Sequence, residues 1–253
     1  MELRAVEGLP EVSAGDDIAA MVAERDPPPD GSVVVVASTI VSKAEGRGRR
    51  LEAYEPGARA ERIAARLGER TGERKDPRFA QAVLDESEEL LIEDPFLLAV
   101  THFGHVGVNA GIDRTNLPDG SDILLLPRDP SASAARIREG LPGAPPVVVA
   151  DTSGRPFRVG QRGVAIGWAG MPPTRDWRGR TDRRGRELRA TVEAVVDELA
   201  SAANLLMGEA DGGRPVVTVS GLDLAGMAGG DRLFRRREDD LVRSALRGWR
   251  FDR

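Results

Sequence analysis

SVVVVASTIVSKAEGR, Ser32 to Arg47, is the stretch on which the fold turns. Four consecutive valines allow no polar face, so the run reads as a strand covered on both sides, bounded in front by Asp30-Gly31. A fully buried strand belongs inside a sheet with helices packed against it. The segment then carries Ser38, Thr39 and Lys43 beyond the apolar run. Of 36 Lys and Arg residues in the chain, only Lys43 and Lys75 are lysine. A chain that writes arginine almost everywhere keeps an ammonium here. Either the position tolerates any residue, as an exposed loop would, or it requires a compact point charge for contact with an anion such as phosphate.

Outward from this strand, helix and strand patterns alternate irregularly. Helical spacing predicts Gly57–Leu67, closed by Gly68, a helix over Phe79–Leu84 after Pro77, and a helix opened by Asp129-Pro130 that runs to about Glu139. The longest helical pattern covers Gly185–Met207, and Glu238–Leu246 forms a last amphipathic helix. Strands are predicted at Leu97–Thr101, Asp122–Leu126, Val147–Ala150, Val164–Trp168 and Pro215–Ser220. Gly104–Gly120, Ser153–Gly163 and Gly170–Gly185 read as long loops rich in Gly, Pro, Arg and Asp, more than mere connection needs. Met227–Arg237 reads as a surface connection.

At 253 residues the chain is long enough for one large domain or two small ones. Aromatic residues make up only 4%, so aliphatic side chains must build the core. A formal net charge of −5 argues against a general nucleic-acid surface. The chain has no cysteine, which excludes disulfides, thiolate zinc sites and thiol nucleophiles. No apolar run approaches the roughly 20 residues of a membrane span, and MELRAVEGLP has no signal-peptide apolar region. The expectation is a cytoplasmic protein without a membrane partner.

Four clusters carry possible chemistry. The first is Ser38, Thr39 and Lys43. The second is GVNAGIDRTN, in which Asp113 and Asn116 suit a hard cation or a nucleotide hydroxyl, or alternatively close an Asx-turn on their own backbone. The third is PPVVVADTSGRPFRVGQRG, where Asp151 and Thr152 follow an apolar run, with Arg155 and Arg158 beyond; the readings are a metal-phosphate arrangement or a cap and turn. The fourth is NLLMGEADGGRPV, which sets Glu209 between glycines after a helix end. His102 and His105 are the only histidines, and HFGH lacks an obvious third ligand, so loop or core roles are favoured over zinc. Neither a Walker A sequence, nor a G-x-G-x-x-G after a strand, nor a G-x-S-x-G elbow is present.

Together, in this order, these clusters resemble the coenzyme F420-0:L-glutamate ligase (gamma-glutamyl ligase) family. The resemblance runs from Gly8 to about Leu222 through GLPEV, ASTIVSKAEGR, DESEELL, NAGIDRTN, LLLPRDPSASAARIREGL, DTSGRPFRVGQRGVAIGWAG, DWRGRTDRRGREL and ELASAANLLMGEADGGRPVVTVSGL. It implies a ligase domain over residues 1–222, with a possible inserted segment at about 90–185, and a C-terminal tail over 223–253 with a short helix. A nitroreductase-like domain, to which some members are fused, is not expected. The fold implied is α+β, with a large mixed sheet, flanking helices and two intimately joined subdomains in an intertwined homodimer.

The activity implied is GTP-dependent addition of L-glutamate to the deazaflavin precursor F420-0 through an acyl phosphate, followed by gamma-glutamyl extension. Two divalent ions, Mg²⁺ or Mn²⁺, serve it, and K⁺ assists. The resemblance assigns nucleotide contact to Leu9, Pro10, Glu11 and Val12, to Ser38, Thr39 and Lys43, to Asn116, and to the turn Met207, Gly208, Glu209, Ala210, Asp211 and Gly212. It assigns Asp113 and Asp151 to one ion, and Thr152 and Glu209 to another. Lys43 would then be the ammonium of a narrow phosphate site. Arg155, Arg158 and Arg175 are candidates for holding substrate carboxylates. The alternatives are another metal-dependent phosphoryl-transfer enzyme, or a non-catalytic nucleotide or deazaflavin carrier.

Overall fold

The computed structural model describes residues 1–224 and 227–248. The fold is α+β. Its chain divides into two compact units, one of residues 1–44 and 129–233, the other of 45–128 and 234–253. The interruption therefore spans 45–128, where the sequence suggested an insert at about 90–185. Part of the expected C-terminal tail, residues 225–226 and 249–253, lies outside the described residues.

Unit 1 begins with β1 (Glu2–Ala5), α1 (Ile18–Arg25), β2 (Val33–Ala37) and α2 (Ser38–Ala44). Unit 2 follows with β3 (Gly48–Arg49), α3 (Ala58–Thr71), α4 (Pro77–Asp85), β4 (Ser87–Ile92), β5 (Leu98–Thr101), β6 (Val106–Val108) and β7 (Ile123–Leu124). The chain returns to unit 1 through α5 (Pro130–Gly140), β8 (Val147–Arg155), β9 (Arg158–Ala169), β10 (Arg175–Asp176), β11 (Val192–Glu193), α6 (Val195–Met207) and β12 (Val216–Ser220). In unit 2, α7 (Leu241–Gly248) completes the described elements.

The core of unit 1 is a mixed five-stranded sheet in the order β1-β12-β2-β8-β9, in which β2 and β8 are parallel. The four valines of β2 are all buried, as a strand covered on both faces requires. Val33 and Val35 pack with Val148, Ala165, Val217 and Val219 beneath Leu199, Ala200 and Ala203 of α6. A β-bulge in the β8–β9 pairing keeps Ala165 opposite Ala150 and Gly167 opposite Val149. Ala165 therefore joins the α6 cluster, while Gly167 meets the start of α5, where an added Cβ would lie 2.3 Å from the Pro130 carbonyl carbon. Asp129 caps α5 by accepting the Ala132 N–H, with Pro130 in the first turn.

Unit 2 packs α3 and α4 over Leu97, Ala99, Ile123 and Leu125. Asp76 caps α4, and Pro77 opens it. Two short antiparallel sheets, β4-β5-β6 and β3-β7, form the other layer.

Several elements depart from the sequence expectation. The helix from Ala58 continues through Gly68 and ends at Gly72, whose φ of 71° supplies the left-handed C-terminal turn. Helix α6 starts only at Val195; residues 185–194 instead hold an isolated bridge from Glu187 to Thr181 and strand β11. Most of that segment is exposed and polar, so it has no apolar face to support a helix. The expected Ser153–Gly163 loop is a hairpin, because β8 and β9 continue as a two-stranded ribbon beyond their neighbours. A ribbon exposed on both faces can carry polar residues and still pair.

Candidate active site

Topology gathers the sequence-predicted stretches of unit 1 at one end of its sheet. The C-terminal end of β2 passes directly into α2, which carries Ser38, Thr39 and Lys43. In β8, Ala150 is level with Ala37, so Asp151 and Thr152 lie where β2 ends. They are within β8, not after its last residue as the sequence suggested. The antiparallel strand β12 starts at this same end, with Val216 opposite Val36, and the Ala37 N–H donates to the Pro215 carbonyl at 2.8 Å. The turn from Met207 to Gly212 leads into this point. Strand β1 finishes here as well, since Ala5 pairs with Val217 and the Val6 N–H donates to Val216 O at 2.9 Å. The Leu9–Val12 segment follows it. Outside the ends of sheet strands is where α/β folds collect ligands.

Side chains knit these segments together. The Ser38 hydroxyl donates to Asp151 Oδ1 at 2.9 Å. Lys43 is buried at 3% exposure and donates from Nζ to the exposed Glu11 carboxylate. Thr152 is level with Gly163 of β9. A Cβ on Gly163 would stand 2.3 Å from the Ala200 carbonyl oxygen, so α6 rests directly on the ribbon. The Ser201 hydroxyl donates to Gly163 O at 2.7 Å, and Asn204, one turn on, donates to Glu209 Oε1 at 2.8 Å. Close packing of α6 at Gly163 thus links the Thr152 pairing to the Glu209 turn.

The candidate carboxylate-holding arginines differ. The Arg155 guanidinium donates to Gly160 O at 3.1 Å within the hairpin, and Arg158 is exposed beside it. Arg175 lies over the Trp177 ring, near Glu193, and donates to Asp223 O.

Asp113 and Asn116 belong to unit 2. Asp113 Oδ1 accepts from the Arg114 N–H at 2.6 Å, the Thr115 N–H at 2.9 Å and the Thr115 hydroxyl at 2.8 Å. The Asx-type turn is therefore real, yet it uses one oxygen, and Oδ2 has no partner among the described residues. The turn and ligand readings are compatible on this side chain. Asp113 also pairs through its backbone with Leu124. Asn109, Ala110 and Gly111 just before it all have positive φ, 54°, 56° and 71°. Gly111 is required there, because a Cβ would lie 2.4 Å from Leu126 Cδ1.

Unit 2 also contains a cavity of about 370 Å³ that the sequence did not reveal. Arg47, Arg128, Asp85, Glu86, Thr101 and His102 contribute its polar lining. Arg47 is buried, donating from Nε to Leu126 O at 2.9 Å and from Nη2 to Glu86 Oε2 at 2.6 Å. Burial pushes its pKa down; Glu86 opposes this, while Arg49 and Arg128 add to it. In the sequence Arg47 sits in GRGRR and looks like a solvated charge run, so nothing there marks it as buried. His105 is a core residue stacked on Phe103, with ring centroids 6.4 Å apart, and burial pushes its pKa down to about 4. His102 donates from Nε2 to the Asp85 carbonyl at 2.9 Å. Among the described residues no group of three or more His, Asp or Glu side chains is gathered to hold a metal.

Hydroxyls, a buried ammonium and separate carboxylates thus meet at one end of the mixed sheet of an α+β protein. Residues 8–221 match the family model for F420-0:Gamma-glutamyl ligase. The chain is 63% identical over 252 residues to the coenzyme F420:L-glutamate ligase of Natronomonas pharaonis, covering 100% of this chain and 98% of that protein. It is 49% identical over 251 residues to the Archaeoglobus fulgidus protein of the same name, covering 98% of each. For the Methanosarcina mazei protein, again of that name, the identity is 44% over 252 residues, covering 97% and 96%. The chain belongs to the F420-0:gamma-glutamyl ligase family.

Proposed function

We propose that this protein joins L-glutamate to the carboxyl group of F420-0 at the expense of GTP, and then extends the product through the gamma-carboxyl. The observation that carries the site is the convergence of residues 6–12, 37–43, 151–152 and 207–215 at one end of the unit 1 sheet, joined by the Ser38–Asp151 and Lys43–Glu11 contacts. A carboxylate resists attack by an amine because oxide is a poor leaving group. Transfer of the γ-phosphoryl group makes an acyl phosphate; the glutamate amine then forms the amide as phosphate departs.

The obstacle is charge. Two anionic groups at about 4 Å repel by roughly 4 kcal/mol at an effective dielectric of 20. Lys43 offsets part of this as a buried point charge, with Ser38 and Thr39 beside it as hydroxyl donors. The acidic and hydroxyl side chains form a hard-oxygen set that fits Mg²⁺ or Mn²⁺, an ion type held by one or two carboxylates with water and substrate phosphates completing its shell. Asp113, Asp151, Thr152 and Glu209 are the proposed ligands of such ions. When bound, the ions supply positive charge against the triphosphate. Asn116 and the Met207–Gly212 turn complete the proposed nucleotide contacts, and K⁺ is a proposed accessory ion.

A homodimer is proposed as the working form. Phe157 and Val159 at the tip of the β8–β9 ribbon are fully exposed, which supports burial against a second copy. No described helix is long and apolar enough to cross a membrane.

The test is incubation with GTP, Mg²⁺ or Mn²⁺, glutamate and F420-0, followed by mass measurement. Product heavier by one or more glutamyl units is expected. GTP hydrolysis without incorporation would favour a phosphatase instead, and binding without turnover would favour a carrier.

A further inference from the structure

The unit 2 cavity has a charge pattern that selects one kind of ligand. Two guanidiniums, Arg47 and Arg128, and two carboxylates, Asp85 and Glu86, share its lining. Much of this polar capacity is already used. Arg47 spends Nε and Nη2 on Leu126 O and Glu86. Asp85 Oδ1 accepts from Gln81 at 2.7 Å, and Thr101 Oγ1 accepts the His105 N–H at 3.1 Å. Among the described residues Arg47 Nη1, the whole Arg128 guanidinium, Asp85 Oδ2 and Glu86 Oε1 have no hydrogen-bond partner. The capacity left over is two separate cationic donors and two anionic acceptors.

A purely anionic ligand would satisfy the guanidiniums but face the carboxylates. A nucleobase could engage one guanidinium and one carboxylate through its edges, but would leave the second of each unpaired. An amino acid with a second carboxylate answers all of them: each carboxylate meets a guanidinium, and the ammonium meets Asp85 and Glu86. Volume agrees. About 370 Å³ lies at the small end of ligand pockets, which run from roughly 300 to 1,000 Å³. That accommodates an amino acid and a few waters, and not a tricyclic deazaflavin with its side chain.

The cavity is also built on the segments that carry Asp113. Ala110, in the run of positive φ, lines the cavity, and Asp113 follows three residues later. Leu124, which pairs with Asp113, continues into Leu126 and Pro127 of the cavity wall.

We infer that this cavity is the binding site for the incoming α-amino dicarboxylate, L-glutamate, with Arg47 and Arg128 holding its two carboxylates and Asp85 and Glu86 its ammonium. The inference rests on the proposed ligase reading. Arg128 is the informative position, because it is exposed and its side chain has no hydrogen-bond or ion-pair partner among the described residues. With GTP, Mg²⁺ and F420-0 supplied, Arg128→Gln should raise KM for glutamate at least tenfold and leave KM for GTP and for F420-0 within about twofold. An unchanged glutamate KM, or a rise in either of the other two instead, overturns the inference.

Calorimetric titration of the wild-type chain with L-glutamate, in the presence of Mg²⁺ and a non-hydrolysable GTP analogue, reads the site without turnover. Binding should be seen, and should weaken at least tenfold in Arg128→Gln. Glutarate, which keeps both carboxylates and lacks the ammonium, should bind at least tenfold more weakly than glutamate. Absence of glutamate binding, or equal binding of glutarate, rejects the site. The two readings fail separately: a wild-type chain that makes no glutamylated product while binding glutamate through Arg128 loses the ligase reading alone. An active chain indifferent to Arg128→Gln loses this inference alone.

Discussion

Lys43 shows what a single side chain decides. It is buried and paired with an exposed carboxylate on the Leu9–Val12 segment, so its charge is held at the mouth of the sheet end. A guanidinium there would be bulkier and planar, with a fixed fork in place of three rotatable donors. Lys43→Arg should retain the folded circular dichroism spectrum and raise KM for GTP at least tenfold; unchanged GTP kinetics would remove Lys43 from the phosphate site. Asp151 tests the adjoining carboxylate. Asp151→Asn keeps an acceptor for the Ser38 hydroxyl, so the fold should persist while turnover falls by two orders of magnitude or more. A variant of near-normal kcat would show that the Asp151 charge has no part in the reaction. At this scale the sequence was informative where a residue broke the composition, as Lys43 does. It was silent on Arg47, whose burial depends on Glu86 and Leu126 from elsewhere in the chain.

Elements were legible where burial was complete and obscure where pairing alone made them. The valine run of β2 and the capped starts of α4 and α5 follow from local chemistry. The outer β8–β9 ribbon does not, because its residues are polar and only cross-strand register reveals it. Helix α7 was legible as the amphipathic pattern over Glu238–Leu246, but its electrostatic attachment was not. Glu89 of β4 accepts from Arg243 Nε at 2.9 Å and from Arg247 Nε at 2.6 Å. Arg243 Nη2 lies 2.6 Å from the same carboxylate, as an ion contact whose angle makes no hydrogen bond. Burial pushes the Glu89 pKa up, but the hydrogen bonds from Arg243 and Arg247 outweigh it and hold the group below the ordinary value of 4.5. A depressed carboxylate stabilises above its unfolded pKa and loses that contribution as pH falls through the folded one. Hydrogen exchange of residues 241–248 should therefore accelerate relative to β4 below about pH 4.5, and Glu89→Gln should show the fast exchange already at pH 7. Equal protection in both proteins at pH 7 would mean that apolar contact, not this carboxylate, holds the helix.

For the molecule as a whole, the family pattern was readable because it is spread over nearly the entire chain, whereas the division into units at 44/45, 128/129 and 233/234 was not. The first two crossings fall at short turns, Glu45-Gly46 after α2 and Pro127-Arg128 before α5, which read as ordinary helix boundaries; the third falls inside the connection read at Met227–Arg237. The two units nevertheless differ in one property that can be measured. Unit 2 buries His105 between Phe103 and Phe234, with ring centroids 6.4 and 6.1 Å away, and burial lowers its pKa from 6.5 to about 4. The unfolded state then binds a proton that the folded state refuses, so stability is complete above about pH 6.5 and declines as pH falls toward 4. A shift of this size corresponds to about 3 kcal/mol at the acid end of the window. The other histidine, His102, is also in unit 2 and is exposed, so no buried imidazole makes the unit 1 sheet titrate in this range. Hydrogen exchange between pH 6.5 and 4.5 should show β5 and α4 losing protection while β2 and β12 keep theirs. His105→Phe retains an aromatic ring between its two neighbours and removes the titrating group. It should abolish the difference between the units, and a variant that still loses unit 2 first over this range would assign the acid sensitivity to other groups.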